Sequence, residues 1–113
     1  MLELITAIIK PHKLDDVKAA LVANGIQGVT ITEVRGFGRQ GGKTEVFRGS
    51  EYAIDFVPKI KLEVIVATAD VNRVIDLIVG AAKTERIGDG KVWSMSLNNL
   101  VRVRTGETGT EAI

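Results

Sequence analysis

Apolar residues in this chain keep two rhythms, alternating in some segments and recurring at helical spacing in others. Residues 2–10, LELITAIIK, alternate loosely and are rich in β-branched side chains, which predicts a strand that Pro11 stops. From Leu14 the positions Leu14, Val17, Leu21 and Val22 follow helical spacing, with Asp15 and Asp16 in the first turn, where the helix dipole favours acids. Asn24-Gly25 supplies the usual left-handed helix stop. Residues 29–35, VTITEVR, predict a second strand. KIKLEVIVA from Lys59 predicts a third, with Ile60, Leu62, Val64 and Val66 on one face. Asp70 stands where a cap would open a second helix carrying Val71, Val74, Ile75, Ile78 and Val79. A turn-rich connection over 82–91 leads into a fourth strand, VWSMSL. VRVR follows, then a polar tail from Gly106 that is expected to be mobile.

The order β-α-β, loop, β-α-β consists of two half-repeats. It predicts an α+β ferredoxin-like fold, βαββαβ, with an antiparallel sheet and both helices on one face. Strand one is apolar on both sides, Leu4 and Ile8 on one and Ile5 and Ile9 on the other. Large apolar patches are seldom left wet, so the helix-free face is expected to be covered by self-association. Between strands two and three lies GRQGGKTEVFRGSEY, far longer than a hairpin turn and without a sustained period of its own.

Composition narrows the function only by exclusion. The 113 residues allow one domain, and the apolar (45%) and charged (26%) shares are those of a soluble globular protein. No membrane span or cleavable signal pattern is present in the sequence. With no cysteine there is neither a disulfide framework nor a thiolate metal site, as suits the cytoplasm. A formal charge of +1 exerts no general pull on nucleic acid or acidic membranes. The five aromatics are too few for a base-stacking sheet.

Gly36-Phe37-Gly38-Arg39-Gln40-Gly41 spells G-x-G-x-x-G after a strand, but no helical stripe follows to receive a pyrophosphate, and the chain is too short for a doubly wound sheet. Gly90-Lys91 fails as a Walker motif, because Glu85 stands at the first glycine position and Val92 replaces Ser/Thr. Glycines nonetheless let backbone N–H groups approach an anion. Gly38-Arg39-Gln40-Gly41, Gly88-Asp89-Gly90-Lys91, and the pair Arg102 and Arg104 are all anion-friendly groups at strand ends. The two arginines would project from one side of an extended chain, either to meet an anion or to lie solvated on an edge strand.

TAIIKPHKLDDVKAAL, TEVRGFGRQ, RGSEY, DFVPK, IGDGK and VRVRTGE, in this order and spacing, resemble the PII nitrogen-signalling proteins over nearly the whole chain. The resemblance implies a single domain over 1–113 that assembles as a homotrimer with its sheets facing the threefold axis. It identifies 37–55 as a T-loop, the arm that docks on target proteins and takes a shape set by bound ligands, with a B-loop at 82–91 and a C-terminal loop at 102–113. A long loop costs little, since closure entropy grows only logarithmically with length.

The resemblance further implies an ATP or ADP cleft between subunits. Gly36, Gly38, Arg39 and Gln40, with Ile65, would approach from one side, and Gly88, Asp89, Gly90 and Lys91 would cradle phosphates. Gly28, Val29 and Thr30 of the neighbouring chain would meet the base, and its Arg102 and Arg104 the phosphates. The second ligand implied is 2-oxoglutarate, touching Gln40, Gly41, Lys59 and Gly88. Its keto-acid end would chelate a Mg²⁺ held by ATP phosphates and by Gln40, and Lys59 would pair with its distal carboxylate. Tyr52 matches a tyrosine that some relatives nucleotidylylate, and Ser50 a serine that others phosphorylate. The targets implied are an ammonium channel, a nitrogen-assimilation enzyme or its modifying enzyme. Membrane contact would come only through a channel partner.

His12 departs from the family's usual Phe and is a lone histidine without the partners of a metal site or triad. Phe47 replaces a common second tyrosine, and Gly41-Gly42-Lys43 replaces Lys-Gly-His. These changes bear on the docking arm. No nucleophile–base pair is evident, so the chain is not expected to be an enzyme. Two rivals share parts of the pattern: a ferredoxin-like acylphosphatase, which fast acyl-phosphate turnover would reveal, and a PII-like sensor of bicarbonate or a cyclic nucleotide, which a ligand screen would reveal.

Overall fold

Strand β1, Leu2–Ile9, lies inside a four-stranded sheet of order β2-β5-β1-β6, with every neighbouring pair antiparallel. The computed structural model describes residues 1–37, 44–47, 50–53 and 56–113, with backbone only for 44–47 and 50–53. After β1 the chain runs through α1 (Leu14–Ala23), β2 (Thr30–Gly36), β3 (Thr44–Phe47), β4 (Ser50–Ala53), β5 (Val57–Ala67), α2 (Val71–Ala82) and β6 (Lys91–Leu97). Among the described residues, short 3₁₀ turns lie at Pro11–Lys13, Thr68–Asp70 and Gly109–Ala112.

Strand alternation decides which side chains face the helices. Ile5, Ala7 and Ile9 of β1 stand opposite Val64, Leu62 and Ile60 of β5, and all six are buried. Val17 and Leu21 of α1 and Val71, Val74, Ile78 and Ala82 of α2 close the core over them. The helix-free face carries Leu4 and Ile8, half-buried, beside exposed Trp93 and Met95. The ferredoxin-like α+β prediction therefore holds, including a first strand that is apolar on both sides. In the centre of the core, Ile78→Val is expected to cost about 0.5–1.5 kcal/mol, read from urea unfolding.

Several local expectations need correction. Val79, placed on the helix stripe, is 45% exposed, because the packed face turns through Ile78 and Ala82 instead. Asp70 occupies the N-cap position, but its carboxylate bonds no backbone amide there. The preceding 3₁₀ turn leaves it in helical rather than extended dihedrals, and capping needs the latter. Strand β5 begins at Val57, earlier than Lys59, and so includes Pro58. There it pairs with β2 alone, since β1 ends opposite Ile60, and a strand with one free side tolerates the missing donor.

The long segment after β2 is not wholly aperiodic. Strands β3 and β4 form a separate hairpin with Thr44 opposite Ala53 and Phe47 opposite Ser50. Two residues, Arg48 and Gly49, intervene in sequence, and the paired tetrads TEVF and SEYA include β-branched and aromatic residues. The flanking glycines concealed that hairpin signal.

Candidate functional site

The connection after α2 is shaped by backbone conformations that side chains resist. Glu85 has φ 65°, and Gly88 and Gly90 have φ 95° and 96°. A Cβ on Gly90 would lie 1.7 Å from the carbonyl oxygen of Ile8, so the loop presses directly on the end of β1. Asp89 ties the loop together from within. Its carboxylate accepts the amides of Thr84 and Glu85, each at 2.8 Å, together with the Thr84 hydroxyl. Lys10 Nζ lies 3.2 Å from the same carboxylate and donates to Thr84 Oγ1 at 3.0 Å.

These bonds, the Thr84 hydroxyl first, hold the Asp89 carboxyl far below the usual carboxylate range. A carboxyl whose folded pKa is depressed stabilises the fold above its unfolded value, and that stability is lost as pH falls through the folded one. Asp89→Asn is therefore expected to flatten the loss of stability as pH drops below the ordinary 3.8, measured as denaturation midpoints in acid.

Lys59 stands on β5 beyond the end of β1 and is only 4% exposed. Its ammonium donates to the carbonyl of Gly88, 29 positions away. Burial, and then the nearby Lys10 charge, lower its pKa, while Asp89 opposes them. Thus two residues assigned to the keto acid meet in the folded chain. The cation also sits at the root of the 37–55 segment. At the same root the Phe37 and Phe56 rings lie 6.2 Å apart, with the Arg35 guanidinium 5.7 Å from the Phe56 centroid. This clasp was not anticipated; the aromatics flanking the segment were its only trace.

A cavity of about 530 Å³ opens at the other end of the sheet, lined by Gly28, Thr30, Glu63, Ile65, Leu100 and Ile113 among others. Gly28, Thr30 and Ile65 are thereby brought together, and Val29 packs half-buried against the core. Ile65 does not neighbour Gly36. Gly36 pairs with Val57, and from there to residue 65 of β5 is roughly 26 Å at the usual strand rise. Lys91 opens β6 and is exposed.

The C-terminal segment departs from the expected extended VRVR and mobile tail. Val101 bridges Thr108, the Arg102 amide donates to the Glu107 carbonyl at 2.8 Å, and the Gly106 amide returns to the Arg102 carbonyl. Gly106 and Gly109, with φ of 75° and 65°, make this hook possible. Arg102 and Arg104 therefore do not project side by side from a strand. Arg102 binds Glu107 Oε1 at 2.8 Å and the Ile113 main-chain oxygen at 2.7 Å, whereas Arg104 is exposed in the turn.

Gly38, Arg39, Gln40 and Gly41 lie outside the described residues, as do the side chains of Ser50 and Tyr52. Among the described residues no group of three or more His, Asp or Glu side chains could hold a metal ion, and no helix is long and apolar enough to cross a membrane.

Comparisons with known proteins agree with this architecture from end to end. The nitrogen regulatory protein P-II of Rhizobium etli is 54% identical over 112 residues, 99% of this chain and 100% of that one. The protein of the same name from Rhodobacter capsulatus is 54% identical over 109 residues, 96% of this chain and 97% of that one. A crystal structure of Arabidopsis thaliana PII bound to citrate matches with a TM-score of 0.82 at 37% identity, covering 99% of this chain and 92% of that one. The profile for nitrogen regulatory protein P-II matches residues 2–107, and the chain belongs to the P-II nitrogen regulatory family.

Proposed function

We propose that this chain is a cytoplasmic, homotrimeric signalling protein that binds ATP or ADP and 2-oxoglutarate and regulates nitrogen-metabolism proteins through the 37–55 arm. The contact between buried Lys59 and the Gly88 carbonyl carries the reading, because it joins the root of that arm to the anion-friendly loop. A ligand carboxylate that claimed the Lys59 ammonium would alter both at once. The relatives are named for regulation, which supports a regulator rather than a catalyst. The Arabidopsis protein's citrate is a polycarboxylate, the same chemistry as a keto diacid.

In a trimer the helix-free face, with Leu4, Ile8, Trp93 and Met95, would be covered by the neighbouring copies. Gly36, Gly38, Arg39, Gln40 and the 88–91 loop would then form one wall of a cleft between copies. Gly28, Val29, Thr30, Ile65, Arg102 and Arg104 of the neighbour would form the other. Ile65 joins the second wall because it shares the cavity of Gly28 and Thr30. Arg102 would have to exchange its Glu107 partner for phosphate, and both are charge-assisted bonds.

Mg²⁺ would supply charge neutralisation between phosphates and the keto acid, held by Gln40 and ligand oxygens, as hard donors suit it. Gln40 and Gly41 sit at the root of the arm, so ligand binding there would change the arm's shape and its grip on a target. An ammonium channel, a nitrogen-assimilation enzyme or its modifying enzyme are the proposed targets. Added charge and bulk at Tyr52 or Ser50 would weaken such docking. Titration calorimetry tests the reading: oxoglutarate should give measurable heat only with MgATP present. Equal heat without MgATP would contradict it.

A further inference from the structure

Lys10 belongs to none of the ligand contacts argued above, yet it closes the 84–91 loop from the opposite end of the sequence. Its ammonium touches both Thr84 Oγ1 and the Asp89 carboxylate, and its side chain is 20% exposed against 24% for Asp89. We propose that Lys10 is a positioning residue for nucleotide binding, supplying the counter-charge that lets an acidic residue serve inside a phosphate-binding loop. This rests on the nucleotide reading of the cleft.

Asp89 lies between Gly88 and Gly90, where an incoming polyphosphate would meet its negative charge. The loop still needs an acceptor there, because the Thr84 and Glu85 amides and the Thr84 hydroxyl converge on that carboxylate. A neutral acceptor would meet the hydrogen-bonding demand with less grip; an acid meets it fully but repels the ligand. Lys10 resolves the conflict by pairing with Asp89 on the side of β1. The loop keeps its charged acceptor and presents little net charge to an anion. Nearby Lys59 is committed to the Gly88 carbonyl rather than to Asp89, so among the described residues Lys10 is the lysine that meets this carboxylate.

The test compares AMP, ADP and ATP binding by calorimetry at low and moderate salt. Lys10→Met should weaken ATP about tenfold, ADP less and AMP least, with the ATP loss shrinking in salt, since screening weakens exposed charge effects. Lys10→Arg should bind within about threefold of the parent, because it keeps the charge. Adding Asp89→Asn to Lys10→Met should recover most of the ATP affinity. Asp89→Asn alone keeps one acceptor oxygen for the two amides and leaves Lys10 uncompensated, so whatever grip the loop loses, the preference for ATP over AMP should rise, even if Lys10→Met folds poorly. A parent chain that binds no adenine nucleotide removes the nucleotide reading itself. A parent that binds, with Lys10→Met equally tight, removes only the role of Lys10. Equal loss for all three nucleotides, unrecovered by Asp89→Asn, reduces Lys10 to a structural brace.

Discussion

Gly90→Ala should all but abolish nucleotide binding, a loss of about a hundredfold or more, and should destabilise the chain by ~3 kcal/mol or more. Two independent costs combine. At φ 96° an L side chain is strained, which alone is worth about 1–2 kcal/mol. The new methyl would also lie 1.7 Å from the Ile8 carbonyl oxygen, a backbone atom that cannot rotate away. Ile8 is paired on both sides, to Lys61 and Lys91, so moving it would break both ladders at the end of β1. The loop must therefore lift off β1, carrying the Gly88 carbonyl away from Lys59 and Asp89 away from Lys10.

Gly28→Ala is the control for that claim. No atom lies within 4 Å of its added methyl, so stability should change by less than about 0.5 kcal/mol even though the residue lines the cavity. Nucleotide calorimetry, thermal melting and amide exchange over 84–91 check both variants. A Gly90→Ala chain with parental melting and parental exchange would show that the loop does not bear on β1.

The sheet and helices were legible because their side chains obey one period over many residues. Alternation put Ile60, Leu62, Val64 and Val66 on one face of β5, and all four are buried. In β1 it separated Ile5 and Ile9 from Leu4 and Ile8 without saying which pair meets the helices, and the fold buries Ile5 and Ile9. The elements that were misread depend on single hydrogen bonds or on partners distant in sequence. The hook at 101–108 follows from Glu107 meeting Arg102, and no period announces that pairing. GDGK reads as an anion loop from its glycines. That its acid faces inward to Thr84 and Lys10 appears only once β1 and α2 are side by side. Resemblance brought Lys59 and Gly88 to attention together; the fold supplies a physical reason, a buried ammonium on a carbonyl.

Lys59→Met is expected to weaken 2-oxoglutarate binding by roughly 30- to 150-fold while leaving ATP within about threefold, the range that follows from losing a charged hydrogen bond of about 2–3 kcal/mol. The ammonium is held largely out of water before any ligand arrives, because Lys59 is buried in the fold. Part of its desolvation is therefore already met by folding, and a ligand carboxylate would gain a preorganised, weakly hydrated cation. Exchanging the neutral Gly88 carbonyl for a carboxylate strengthens the bond, because the new acceptor is charged.

Methionine keeps the stem's apolar volume, so loss of packing contributes little. It does leave the Gly88 carbonyl without its lysine, at a cost of about 1–3 kcal/mol, partly offset by no longer burying a charge. Melting should accordingly fall modestly, whereas the ligand effect should be large and confined to the carboxylate. The pH dependence provides a second signature. A lysine whose folded pKa is depressed holds fewer protons folded than unfolded in the window below 10.5, so its burial penalty shrinks as pH rises through that window. The parent should gain stability relative to Lys59→Met over the same range. If oxoglutarate bound Lys59→Met as tightly as the parent, with MgATP present, the carboxylate would have to be sought elsewhere on the cleft, and the contact from arm root to loop would be purely structural.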